Sequence, residues 1–502
     1  MTALTTTRQQ ATGTAAPASA ATASVTTAPV AATPGAAGPA TAPTTTPAAA
    51  PSAAAARRIL AASVFGFFLV GLDAMVVNVA LPAINRSLAG GLAGAQWVID
   101  GYTLAFAALM LSAGALSDRI GAKATYGLGL IGFTLSSAAC GVAPSLALLI
   151  TARLVQGAAA SLMLPASLAL IRQAFPDPAK RNRAIALWTA AGSAAAAAGP
   201  VAGGLITAAV DWRWIFFLNL PAGAAALALL AGTPKLAQAG SAVRARFDVL
   251  GLLSSVVALA GLTYGFIEGG AKGFGTAPVL SSFAAAVLAA VVFAVAESRQ
   301  AQPMVPLAIF KSRAMSLTAF AGFTVNAAFY GVIFLLSLYF QQVAHKSPTV
   351  TGLLFAPITA VVSVVNVTVA ARMVARIGAR LSMTIGLTGT AGAMLLLLAV
   401  RPDQPAWALV LLLVPVSFAG AFVVPALTIM VMGSVPAERA GTAAGIVNTS
   451  RQVGGALSVA VAGALVAGGD FAHGMHVTLI GIAVVLAVAA VAVQLLAPGR
   501  ER

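Results

Sequence analysis

The sequence predicts an all-α polytopic membrane protein with fourteen transmembrane helices, and three observations carry that prediction. Fourteen apolar stretches follow one another from Ile59 to about Leu496, most of them near the roughly 20 residues a helix needs to cross a bilayer. The chain of 502 residues is 60% hydrophobic and only 8% charged, with a mean hydropathy of +0.96, too little charge for the surface of a water-soluble core of this size. The stretches are apolar all round instead of alternating, which argues against a β-barrel, the other structure that satisfies its own backbone in lipid.

Residues 1–56 are almost wholly Ala, Thr, Pro, Ser and Gly, with Arg8 as the only charge. Such a segment lacks bulky apolar groups to bury and is expected to be a disordered tail. No apolar signal-peptide core follows Arg8, and Arg57 and Arg58 directly precede the first span, so the tail reads as cytoplasmic. Six spans are expected within 57–232, at roughly 59–81, 96–116, 124–143, 146–171, 184–207 and 213–232. Two more, at roughly 248–268 and 277–296, fall within 233–313. The last six, at roughly 314–341, 349–371, 379–400, 406–431, 440–467 and 475–497, fall within 314–502, which ends in a short cytoplasmic tail.

A net charge of +16 and a pI near 11.3 invite a nucleic-acid reading, but the positions of the basic residues oppose it. With the N-terminus cytoplasmic, only Arg86, Arg213, Lys272, Lys346 and Arg401 fall outside and only Arg153 and Arg451 within spans; the other 21 of the 28 Lys and Arg lie on the cytoplasmic side. That asymmetry follows the positive-inside rule for an even number of spans and places both termini in the cytoplasm. The basicity is topological, so no nucleic-acid partner is expected.

An internal repeat is present. Gly114-Ala-Leu-Ser-Asp118-Arg119-Ile-Gly121-Ala-Lys123 follows the second span, and Ala371-Arg-Met-Val-Ala375-Arg376-Ile-Gly378-Ala-Arg380 follows the tenth, at a constant offset of 257 residues. Two parallel six-helix halves separated by the two additional helices would place these copies in equivalent loops, an architecture used by secondary transporters.

Ionisable groups inside the bilayer are costly and mark functional sites by default. Asp73 in the first span and Arg153 in the fourth come out at similar depth, roughly 10 Å from the outer face, from a rise of about 1.5 Å per residue. The pair is expected to meet, with Asp73 exchanging a proton and Arg153 setting its proton affinity; a static ion pair that only fixes packing is the alternative. Asp100 and Glu268 sit nearer the outer ends of their spans. Arg451 lies near the midplane of the thirteenth span with Asn448 and Gln452 close by, suited to hold an anionic group or to serve a structural role. In the ninth span, Phe323, Asn326 and Tyr330 belong to an aromatic stretch that suits bulky amphipathic molecules or simply packs, while Tyr339 and Phe340 at its outer end read as an interfacial belt. Cys140 is the only cysteine and sits in an apolar helix; His473 and His476 near Asp470 make a loose pair in an outer loop, so no metal site is expected.

Taken together, these motifs resemble those of the major facilitator superfamily, and more narrowly its fourteen-span drug:proton antiporter branch. Leu72-Asp73-Ala-Met-Val-Val-Asn78-Val-Ala80-Leu81-Pro82 is similar to the branch's first-helix motif, and Arg153-Leu-Val-Gln156-Gly157 to a fourth-helix motif; the resemblance implies a proton-coupling role for Asp73 and Arg153. Gly114, Asp118, Arg119 and Gly121 match the superfamily's signature loop, which implies a conformational latch; the second copy has Ala375 where the acid would stand. Gly199, Pro200, Gly203 and Gly204 resemble the antiporter motif of exporters, with Ala195 replacing a usual glycine. Trp212-Arg213-Trp214-Ile-Phe216-Phe217-Leu-Asn219-Leu-Pro221-Ala-Gly223 and Gly445-Ile-Val-Asn448-Thr-Ser-Arg451-Gln452-Val-Gly454-Gly455 resemble further stretches of the drug-exporting branches.

The function this resemblance implies is proton-driven efflux of hydrophobic or amphipathic small molecules, such as antibiotics, dyes or disinfectants, across the plasma membrane. Asn326, Phe323, Tyr330, Asn448, Arg451 and Gln452 are the substrate-binding candidates. The chain has no Gly-rich phosphate-binding loop with Lys-Ser/Thr, so the proton gradient and not ATP is the expected energy source, with no cofactor. Export of one dedicated metabolite fits the same motifs; a membrane enzyme would need a catalytic cluster that these residues do not offer. The expected partners are the substrate, protons and the bilayer, and a monomer is the default assembly.

Overall fold

The computed structural model describes residues 51–502 apart from 235–247, 301–302, 304, 366–368, 370, 418–421, 435–439, 468–469 and 498–502. Helices dominate the described residues. In order they are α1 (Ala53–Leu88), α2 (Gly91–Ile120), α3 (Ala122–Gly141), α4 (Leu146–Ala174), α5 (Pro178–Ala209), α6 (Trp214–Phe217), α7 (Asn219–Ala231) and α8 (Val249–Lys272). They continue as α9 (Ala277–Arg299), α10 (Arg313–Leu338), α11 (Pro348–Val365), α12 (Ala371–Leu396), α13 (Ala406–Leu413), α14 (Val424–Ser434), α15 (Ala440–Val466) and α16 (Phe471–Leu496). Ser52 opens α1 by accepting from the Ala55 N–H at 3.3 Å, so residues 53–56, expected in the disordered tail, are helical; residues 1–50 of that tail lie outside the described part. Asp177 and Asp248 cap α5 and α8 in the same way, at 2.8 and 2.7 Å.

Among the described residues, nine helical segments are long and apolar enough to cross a membrane, fewer than the fourteen expected. Part of the difference is local in origin: Gly, Ser and Thr dilute the apolar character of α3, and Arg451 and Gln452 add to them in α15. The stretch expected at 406–431 is broken: α13 passes into a 3-10 turn at Val414–Val416, where Pro415 removes a helix hydrogen bond, and α14 resumes at Val424. The stretch expected at 213–232 is one of the nine, although a turn at Leu218 divides it into α6 and α7.

Helix contacts depend on glycines wherever backbones approach closely. A Cβ on Gly157 of α4 would stand 2.1 Å from the Tyr102 carbonyl of α2, and one on Gly454 of α15 would stand 2.2 Å from the Phe323 carbonyl of α10. Among the described residues, side-chain hydrogen bonds join the earlier helices, α1–α7, to the later ones, α10–α16, at three places. Thr349 of α11 donates to the Gly204 carbonyl of α5 at 3.3 Å; Ser337 and Gln341, at the end of α10, donate to the Asn78 and Val79 carbonyls of α1 at 2.6 and 2.9 Å; Gln96 of α2 donates to the Ala460 and Val459 carbonyls of α15 at 2.9 and 3.2 Å. All three lie towards the end of the bundle remote from the start of α1, here termed the far face. On the α2–α15 seam lies α8: its Tyr264 ring is 6.2 Å from Trp97, and Gly270 rests on Ala464. α9 packs against α8.

Tyr339 and Phe340, expected as an interfacial belt, are buried at 3% and 0% exposure. α11 and α16 cover this end of α10, so Tyr339 packs towards Phe471 and Phe340 towards Phe355, with ring centroids 6.2 and 6.1 Å apart. Both rings belong to the core.

Candidate functional site

α1 and α4 bring Asp73 and Arg153 together, as expected. Asp73 is fully enclosed and ion-pairs through Oδ2 with Nη1 of Arg153, itself 1% exposed. Oδ1 accepts from Gln156 Nε2 at 3.0 Å and from Asn219 Nδ2 at 2.9 Å. Arg153 Nη1 also donates to Gln156 Oε1 at 2.8 Å, and its Nε donates to the Val98 carbonyl of α2 at 3.0 Å. The guanidinium lies over the Tyr102 ring, 4.3 Å from its centroid. Charges taken out of water cost several kcal/mol each unless paired and hydrogen-bonded, and this set supplies those partners.

Local sequence explains the convergence. Gln156 is three residues beyond Arg153 and so shares its face of α4. Asn219 begins α7 directly after the break at Leu218, and its amide also donates to Ser137 Oγ at 3.0 Å; Ser137 in turn donates to the Phe216 carbonyl at 2.9 Å. The segment 212–219 leads outward from the cluster. Phe216 is 5.9 Å from the Arg153 guanidinium, Trp212 meets Phe216 edge-on at 6.3 Å, and Trp212 lines a far-face cavity of about 330 Å³ with Arg86, Thr207 and Asp211.

The small residues of α5 pack in two directions. Cβ atoms at Gly199 and Gly203 would meet Met75 Cβ at 2.4 Å and the Val76 carbonyl at 2.6 Å on α1. Gly204 faces Pro348 of α11, while the Pro200 carbonyl is met by Gly352 of that helix. Ala195, the departure from the motif, sits against Gly71 of α1, so the missing glycine is made up on the partner helix.

In the loop repeat, Gly121 has φ +90° and ψ 145°, and Gly378 has φ +84° and ψ 162°, a backbone open essentially to glycine alone. Lys123 donates to the Thr233 carbonyl after α7; Arg380, its counterpart, donates to the Gln494 and Ala497 carbonyls at the end of α16. Gly114 has open space over it and Arg119 is exposed, while the Asp118 side chain lies outside the described residues.

A second polar cluster joins α10 and α15. Arg451 Nε donates to Asn326 Oδ1 at 3.2 Å and its Nη1 to Asn448 Oδ1 at 3.4 Å; Asn326 Nδ2 donates to Gln452 Oε1 at 3.2 Å. The Arg451 stem lies on Gly322, and Tyr330 lies on Gly455. Phe323 contributes its carbonyl to the close approach of Gly454, and its ring is half-buried.

The sequence profile of the Major Facilitator Superfamily matches residues 63–459 and 369–502. The chain belongs to this superfamily. It is 35% identical over 424 residues to the methylenomycin A resistance protein of Streptomyces coelicolor, covering 84% of this chain and 88% of that one. It is 38% identical over 410 residues to the multidrug resistance protein Stp of Mycobacterium tuberculosis, covering 81% and 75%. Its fold matches a D-xylose–proton symporter with a TM-score of 0.63 at 14% identity, over 89% of this chain and 98% of the other. Membership makes the chain a multi-pass membrane transporter and not an enzyme, with relatives named for drug resistance.

Within this family frame, sequence reasoning missed Ser137 and Tyr102 and gave Gln156 and Asn219, both named in motifs, no role of their own. The available signal was polar groups inside apolar helices within one or two turns of Arg153 or a helix break. Asp470 caps α16 through the His473 N–H at 3.1 Å, which accounts for an acid beside those histidines. Glu268 pairs with Lys272 at 2.7 Å, four residues on along α8.

Proposed function

We propose that the chain is a proton-driven exporter of the fourteen-span antiporter branch, working in the plasma membrane with both termini cytoplasmic and built as two six-helix halves flanking α8 and α9. The observation that carries this reading is the enclosed cluster of Asp73, Arg153, Gln156 and Asn219. Asp73 exchanges the proton, and Arg153 and Asn219, which hold its two oxygens, must let go for exchange to occur. The contacts at the far face leave this conformation closed towards the outside. Opening requires α5 to part from α11 and α2 from α15, as rocking of two halves would do. Gly199, Pro200, Gly203 and Gly204 shape the helix that seals against α11, and the turn of Gly114, Asp118, Arg119 and Gly121 latches the cytoplasmic side when it closes. Arg451, Asn326, Asn448, Gln452, Phe323 and Tyr330 form the substrate surface.

The test is substrate-triggered proton release from the lumen of inverted, acid-loaded vesicles, comparing wild type with Asp73→Asn across a panel of lipophilic drugs. Release that needs both a drug and Asp73 supports antiport. Release that survives Asp73→Asn removes the proton from this site. A second reading, export of one dedicated metabolite, is favoured by a relative named for resistance to a single compound, methylenomycin A. A panel to which only one compound responds would select it.

A further inference from the structure

We propose that Arg451 is the anion-recognition group of the substrate site, so that the exported molecules join a carboxylate or another ionised oxygen acid to an apolar, aromatic body. The proposal rests on the export reading above and adds the charge of the cargo.

The two intramembrane arginines are treated differently by the fold. Arg153 is sealed at 1% exposure and has a carboxylate of its own in Asp73. Arg451 is only partly buried, and among the described residues its hydrogen bonds go to two neutral amide oxygens, of Asn326 and Asn448. Among the described residues, no acid of the later helices pairs with it. After Arg313 the chain carries only Asp403, Glu438, Asp470 and Glu501, all outside the expected spans. Glu438 stands thirteen residues before Arg451 in the sequence. Asp100, on the neighbouring α2, forms no hydrogen bond among the described residues.

Amide dipoles orient a guanidinium but leave its charge uncompensated, and a cation within the membrane is costly without an opposite charge. The guanidinium has five N–H donors, of which the amides take two. Its planar fork matches a carboxylate in two parallel hydrogen bonds, so an anion at this place offsets the charge and meets donors already positioned. The surroundings suit the remainder of such a molecule. Tyr330 and Phe323 supply aromatic surface on α10.

The experiment uses the full-length protein in inverted vesicles and in detergent with three matched probes: 9-anthracenecarboxylate, its methyl ester, and 9-(aminomethyl)anthracene. Fluorescence reads both binding and uptake. Wild type should bind the carboxylate at least about tenfold more tightly than the ester, and Arg451→Gln should lose that margin while its affinity for the ester stays unchanged. Arg451→Lys keeps the charge without the fork and should fall between them, which separates anion recognition from misfolding. Carboxylate selectivity unaltered in Arg451→Gln, or a wild type that prefers the ammonium probe, overturns the proposal and leaves export standing. Arg451-dependent selectivity in binding without uptake of any probe keeps the anion site and removes the export reading. Failure of wild type to bind or move any of the three overturns both.

Discussion

Asn219 is the residue on which the proton cluster turns, because it reaches Asp73 from a helix that begins at that very position. Its replacement by Ala removes one of three groups on the carboxylate and should cost roughly 1–3 kcal/mol, read as a lower unfolding temperature together with altered pH dependence of export. Asp73→Asn keeps the side chain's shape and one acceptor oxygen; proton-coupled export should vanish while the protein still inserts, as measured in the acid-loaded vesicles. Arg153→Met strands the carboxylate in the interior and should lower stability by roughly 3–5 kcal/mol in thermal unfolding. At this scale the sequence is legible where charge is concerned: Asp73 and Arg153 stand out because ionised groups are rare in apolar helices. The neutral amides of Gln156 and Asn219 do not stand out. Gln156 is selected by sharing the Arg153 face of α4, and Asn219 by the packing of α7 against α1, which no local pattern encodes.

At the scale of helices, the repeat shows what a short motif determines. Gly121 and Gly378 share a backbone conformation that a Cβ disfavours, and the basic residue two positions later ties down the end of α7 in one copy and of α16 in the other. Gly121→Ala and Gly378→Ala should each destabilise by about 1–3 kcal/mol, checked by thermal unfolding of the purified variants. The cation placed at helix-terminal carbonyls is favourable for the same reason that Lys and Arg are favoured in last turns. Helix positions are largely legible from apolar runs, but the breaks are not: Pro415 gives a warning at 406–431, whereas the interruption between α6 and α7 falls at Leu218, an ordinary helix former. The burial of Tyr339 and Phe340 is invisible for another reason, since aromatic residues at a span's end look alike whether lipid or a neighbouring helix covers them.

Across the whole molecule, the side-chain hydrogen bonds described between early and late helices sit at one end. Holding that end shut should stop turnover. Gln96→Cys with Gly463→Cys, in a Cys140→Ala background, places two thiols on the α2–α15 seam, because a Cβ on Gly463 would lie 2.1 Å from the Gln96 amide that the first change removes. Cross-linking the pair should abolish transport while leaving probe binding intact, and reduction should restore it. α8 touches both sides of that seam, so on the rocking reading it slides or tilts when the seam opens. The enclosure of Asp73 has its own consequence on the proton-coupled reading. A carboxylate enclosed by protein on every side passes no protons while the transporter waits, so the molecule idles without discharging the membrane potential. Respiration then supports export only when there is cargo to move.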